Sequence, residues 1–253
     1  MNIFLYRFRM LFAILLLSSF SSAHAAPCVS NAAQLKLARA EFATADAALN
    51  VAWKPLKAKL SAAHFAAVLK QQRLWIPYRD AMAAASAAGG VPFVEPASMQ
   101  QCAKFEIYRA DISRSRIKVL QALLAPATAS WSGVYQDSFG GTISMDARGD
   151  GLHFMIDVVR SSAFHTGQIV GVAQVKGDAA IFRTTTDDYS TDAHDTQPVL
   201  VTFSRDANQL QLVTENAQNF GGMRAYFDGD YVRVSALGKT GARDIEAALD
   251  DRE

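Results

Sequence analysis

The chain has 253 residues, a formal net charge of +1, and apolar side chains at 50% of its positions. That length accommodates one large or two ordinary domains with a proper core. The near-neutral balance provides no global field for nucleic acid or an anionic membrane surface, so those partners are disfavoured.

Residues 1–25 read as a cleavable signal peptide. Arg7 and Arg9 form a basic start, Met10 to Phe20 an apolar run, and Ala23-His24-Ala25 places small residues where a signal peptidase reads. The run falls well short of the ~20 residues of a helical membrane span, and Pro27 before Cys28 does not fit a lipobox. Cleavage after Ala25 leaves about 228 residues in the periplasm or outside the cell, with no membrane span. Loss of Arg7 and Arg9 takes the formal charge to about −1. The two cysteines, Cys28 and Cys102, are then either disulfide-bonded or two buried thiols. An oxidising compartment favours the bond, which would close a loop of about 75 residues, nominally worth about 4 kcal/mol. No Cys-x-x-Cys or Cys–His spacing suggests a metal, and no cofactor motif is present.

Residues 26–125 are alanine-rich with helical period. A first helix is expected from about Asn31 to Lys54, with Leu35, Ala38, Phe42, Ala45 and Leu49 on its apolar face. Ser61 reads as the N-cap of a second, which turns Phe65, Val68, Leu69, Trp75 and Ile76 inward. Pro77 predicts a kink or break near residues 73–77. Gly89-Gly90, Pro92 and Pro96 mark a loop, and a third helix is expected from about Ser98 to Leu124. Short connections between three amphipathic helices suggest an antiparallel bundle.

After the small-residue linker at 125–130 the period becomes two. Strand candidates begin at Trp131, Thr142, Leu152, Gln168, Ala180, Val199, Gln209 and Tyr231, separated by Gly- and Asp-rich turns. About eight short strands predict an antiparallel barrel or sandwich over 126–235. Trp131–Tyr135 and Phe227–Tyr231 look like a paired opening and closing strand. Residues 236–253 read as a charged, frayed tail with one helical turn near Ile245 to Leu249. The fold class is therefore α+β in two domains, a three-helix bundle followed by an all-β unit.

Little in the chain suggests catalysis. There is no Gly-x-Ser-x-Gly elbow, and His64, His153, His165 and His194 lack metal-ligand spacing. A hydrolase built on His153, His165 or His194 is the third reading. Asp146 to Gly151 has acidic residues at the first and fifth positions of a calcium loop, but Arg148 stands where a ligand should, so a hairpin turn is expected. The loop from Thr184 to Gln197 carries Asp187, Asp188, Tyr189, Asp192, His194 and Asp195 with no lysine or arginine. It is the candidate binding patch, suited to steering a basic partner. Asp46 and Asn50 share one helix face and face the Arg73 and Arg79 region across the bundle, where they either lock helices or line a groove.

Two motifs carry a resemblance. Asp46, Leu49 and Asn50 form ADxxLN with Ala45, and Gln72, Arg73, Trp75, Arg79 and Asp80 form QRxWIxxRD with Ile76. Together they resemble the helical domain of the LprI-type lysozyme-inhibitor family, over roughly Cys28 to Leu123 and including Arg109, Arg114 and Arg116. Relatives often carry a further cysteine after the Arg-Asp pair, and Ala81 to Ser86 has none here. The β half is similar in architecture alone to C-type lysozyme-inhibitor barrels. The resemblance implies a helical bundle and inhibition of lysozyme by a non-enzymatic secreted protein, or a role in envelope stress. The partner would be lysozyme or another basic envelope-associated protein. The alternative is a small-ligand or envelope-polymer binder that uses the barrel mouth.

Overall fold

The computed structural model describes residues 28–184 and 197–251. Residues 1–25, expected to be a signal peptide, and the candidate binding residues Asp187, Asp188, Tyr189, Asp192, His194 and Asp195 lie outside the described residues.

Helix α1 (Ala32–Trp53) starts where the Asn31 side chain accepts from the Gln34 amide at 2.8 Å, and it stops two residues before Pro55. A single turn, α2 (Leu56–Lys59), leads to Ser61, whose hydroxyl accepts from the His64 amide and caps α3 (Ala62–Ala87). Of the kink or break expected at Pro77, the break is absent: α3 runs through it. Its ring removes the amide that would meet the Arg73 carbonyl, but both residues lie on the exposed face, where water can take that acceptor. Ile76 is also turned outward, 44% exposed, whereas Trp75 is fully inside. Adjacent positions on a helix point about 100° apart, so burying Trp75, Arg79 and Met82 leaves Ile76 on the flank. Gly89 and Gly90, both at positive φ, close the helix through a bond from the Gly90 amide to the Ala85 carbonyl.

The third helix begins later than expected. Ser98 bonds back to Glu95 within a 3-10 turn (Pro96–Met99), and α4 runs from Ala103 to Ala122. Its cap comes from elsewhere in the chain: Ser30 Oγ accepts from the Ala103 amide at 2.9 Å, and the Ser30 amide donates to the Gln101 carbonyl. The Cys28–Cys102 disulfide fixes this crossing. Because Cys28 meets Cys102 and Glu41 meets Arg114, α1 and α4 run in the same direction, with α3 antiparallel to both. Small buried residues, Ala38 and Ala45 of α1 with Ala110 and Ser113 of α4, allow these two helices close approach.

The β half is a closed barrel in which each of eight antiparallel strands pairs with the next. They are β1 (Gly133–Gln136), β2 (Gly141–Arg148), β3 (Gly151–Arg160), β4 (His165–Lys176), β5 (Ala179–Arg183), β6 (Leu200–Asp206), β7 (Gln209–Glu215) and β8 (Gly229–Ser235). Every sequence-derived strand is present. β1 and β8 close the barrel, as their similar sequences suggest, and each donates a buried tyrosine hydroxyl to the carbonyl four residues earlier, Tyr135 to Trp131 and Tyr231 to Phe227. Alternating residues fill the inside, among them Ile143, Phe154, Phe203 and Leu212, so apolar side chains occupy the interior that a barrel-mouth ligand would need. Gly171 makes room for one of them, since a Cβ there would fall 2.5 Å from the Phe182 ring.

The tail is not frayed. Lys239–Asp250 forms α5, which lies on β2, β3 and β4. Ile245 is fully buried at the centre of a face that includes Ala242 and Leu249, and Glu246 meets Arg148 at 2.6 Å. Three-to-four-residue spacing of these apolar positions is enough to dock a helix that its charge content had masked.

The halves meet along α4 and β8, where Val119 and Ala122 pack on Val232. Asn208 holds the linker by donating to the Ala125 and Pro126 carbonyls and accepting from the Thr128 amide. Tyr78 of α3 packs edge-on against Phe139 of the β1–β2 turn. Burial, then the Asp137 charge, raise the Tyr78 phenol well above its ordinary value of 10.0, and the same causes raise Tyr231.

Two predictions follow from this arrangement. Cys28→Ala with Cys102→Ala should lower unfolding stability by about 2–5 kcal/mol in denaturant titrations; an unchanged midpoint contradicts the crossing described. Because the folded phenols of Tyr78 and Tyr231 bind their protons more tightly than unfolded ones, stability should be full below pH 10 and fall as pH rises above it. Absorbance titration of the phenolates should show a class of tyrosines that ionises only as the fold opens, and a single ordinary titration of every tyrosine would contradict this.

Candidate binding groove between the first and third helices

The two motifs fold into facing walls. Leu49 and Trp75 are buried and anchor their helices in the core, together with Leu56, Val68 and Leu120. The charged members form a chain across three helices. Arg79, only 5% exposed, donates through Nε to Asp80 at 2.8 Å and through Nη1 to Asp46 at 3.4 Å. Arg109 of α4 donates to the same Asp80 oxygen at 3.0 Å and to Glu106 at 3.0 Å. Phe42 lies against both guanidiniums, 3.7 Å from Arg109 and 5.1 Å from Arg79 at the ring centre. Asn50 does not reach an arginine; its amide bonds back to the Asp46 carbonyl at 3.0 Å.

Gln72 has a separate task. Its side-chain oxygen accepts from Arg116 Nε at 2.9 Å, and Arg116 in turn bonds Ser138 on the β1–β2 turn. Arg73 is exposed and makes no ion pair with the described residues.

Between α1 and α3 the chain leaves a groove of about 370 Å³. Leu49, Trp53, Leu69 and Ile76 supply its apolar surface, and Asp46, Asn50, Gln72, Arg73 and Arg79 its polar edge. Six of the eight motif residues singled out in the sequence therefore line one feature, leaving Trp75 beneath it and Asp80 behind it. This is the equipment of a binding surface: apolar contact, amide hydrogen bonds, and in Arg73 a cation open to a partner's acceptor.

The histidines are placed differently. His153 on β3 has Nε2 3.0 Å from Asp150, while its Nδ1 is buried without a hydrogen-bond partner, 3.3 Å from a Glu246 oxygen. His165 opens β4, and His194 lies outside the described residues. Asp146 pairs with Arg148 at 2.8 Å on the β2–β3 hairpin, as a plain turn requires. Sequence reasoning missed Glu106, although its i,i+3 spacing to Arg109 was the available signal. It also missed the buried Asp137–Arg160 pair, which joins residues 23 positions apart and has no local signature.

Residues 24–120 match the family model described as Lysozyme inhibitor LprI. The match covers the helical region with both motifs and ends before the barrel. No curated protein and no solved structure gives a significant match. Among the described residues, no helix is long and apolar enough to cross a membrane.

Asp80→Ala would leave the buried Arg79 without its nearest carboxylate and remove one of the two that Arg109 contacts. The expected loss is about 3 kcal/mol, or about 6–12 °C in Tm for a chain of this size. Calorimetry that finds Asp80→Ala as stable as wild type would contradict the shared-carboxylate lock.

Proposed function

We propose that this protein is an exported, non-enzymatic inhibitor of lysozyme, and that the α1–α3 groove of its LprI-type region is the face that grips the enzyme. One observation carries the reading: motif residues from two separate helices, in the segment that matches a lysozyme-inhibitor family, converge on one groove. Its chemistry suits the partner. Lysozyme catalysis depends on a pair of carboxylates in a cleft, and Arg73 beside the exposed Ile76 offers an unpaired cation with an apolar neighbour. The aspartates between Thr184 and Gln197 would add long-range attraction for a basic enzyme. Cleavage after Ala25 and release into the periplasm or medium would bring the two together.

The test is residual activity of c-, g- and i-type lysozymes with the mature protein in molar excess. At least one type should be inhibited. Arg73→Glu and Ile76→Asp should each weaken that inhibition by about 10–100-fold. Both side chains are exposed, so thermal stability should hold. Full activity of all three enzyme types would overturn the function. Inhibition that both variants leave unchanged would overturn the groove.

A further inference from the structure

At the junction of the two halves, a cavity of about 170 Å³ lies between Trp75 and Tyr78 of α3, Ser115 and Arg116 of α4, and Asp137 and Ser138 of the β1–β2 turn. Two buried arginines serve this junction, and they are unequally satisfied. Arg160, 1% exposed, donates to the Tyr226 carbonyl, the Asp137 carboxylate, the Phe139 carbonyl and the Tyr231 hydroxyl, so each of its nitrogens has a partner. Arg116, 2% exposed, bonds Gln72 through Nε and Ser138 through Nη1, but its Nη2 is buried with no hydrogen-bond partner. No described carboxylate stands within ion-pair distance of Arg116.

Asp137 lines the same cavity but is already committed. One of its oxygens accepts from the Phe139 and Gly141 amides, and the other pairs with Arg160. The three buried charges therefore sum to one uncompensated positive charge, on Arg116. Burial lowers the Arg116 pKa to about 10, so the side chain is still cationic at neutral pH. A charged donor left unpaired in the interior is costly, and a guanidinium is matched best by an oxyanion.

We propose that this cavity is a binding site for a small carboxylate, one oxygen of which accepts from Arg116 Nη2. The Ser115 and Ser138 hydroxyls line the cavity; their present bonds, to Gln136 at 3.4 Å and Gln71 at 3.5 Å, are long and would be exchanged for bonds to the second oxygen, and Trp75 and Val119 offer an apolar wall for a short alkyl group. The volume corresponds to about five or six waters, which admits acetate or propionate. The site is independent of the lysozyme reading, because it lies on the far side of Gln72 from the groove.

The experiment is a titration of the full mature chain with sodium acetate in a buffer free of carboxylates, against sodium chloride at matched ionic strength and pH. Melting temperature and the nitrogen-15 resonances of the Arg116 side chain are followed together. Acetate should produce a saturable rise in Tm of about 3–6 °C at tenfold above its Kd and a saturable shift of the Arg116 signal, and chloride should produce neither. Arg116→Gln should abolish the acetate response. If that variant does not fold, Ser115→Ala, which keeps the charge, should raise the acetate Kd several-fold. An equal response to chloride, no response to acetate, or an acetate response that survives Arg116→Gln or is unmoved by Ser115→Ala would overturn the proposal, the cavity then holding water alone.

Discussion

Asp80 accepts from two arginines at once, Arg79 on its own helix and Arg109 on α4, and Arg79 reaches on to Asp46 of α1. One carboxylate thereby fixes the mutual placement of the three long helices. Two guanidiniums near one another would repel, and here Asp80 lies between them while the Phe42 ring packs against both. Removing Asp80 would leave the buried Arg79 guanidinium without its nearest carboxylate, a costly uncompensated charge. α1 and α3 meet through the Arg79–Asp46 pair and through apolar packing such as Trp53 on Phe65, and the groove is the space left between them.

The barrel is attached to the same framework. Gln72 holds Arg116, Arg116 holds Ser138, and Tyr78 packs on Phe139, so two side chains of α3 set where the β1–β2 turn sits. With Asn208 gripping the linker and Val232 against α4, the two halves share several fixed contacts. A partner that seats in the groove would therefore meet a surface whose orientation to the barrel is already set. Such preorganisation lowers the entropy lost on association.

Much of this was legible in the sequence, and the failures have physical causes. Period-two alternation located all eight strands because each is buried on one face only. Asn31 and Ser61 located two helix starts because their side chains cap amides three residues on. The start of α4 was not legible, since its cap is Ser30, 73 positions away. The inward turn of Ile76 and the break at Pro77 were misread because the sequence did not show that Pro77 faces solvent, where a missing amide is tolerated. The helix at Lys239–Asp250 was read as frayed because one buried isoleucine on a barrel face outweighs a charged composition. Whether the motif residues lock helices or line a groove depended on facts only the fold supplies. They do both, Arg79 and Asp46 each serving in the ion-pair chain and on the groove wall.

The most direct test of the account is amide hydrogen exchange of the mature protein with and without saturating c-type lysozyme. Burial of the groove predicts slowed exchange in peptides from residues 46–53 and 69–79, with the strands of the barrel unchanged. Protection confined to the barrel, or no protection anywhere, would contradict the proposed binding face on α1 and α3.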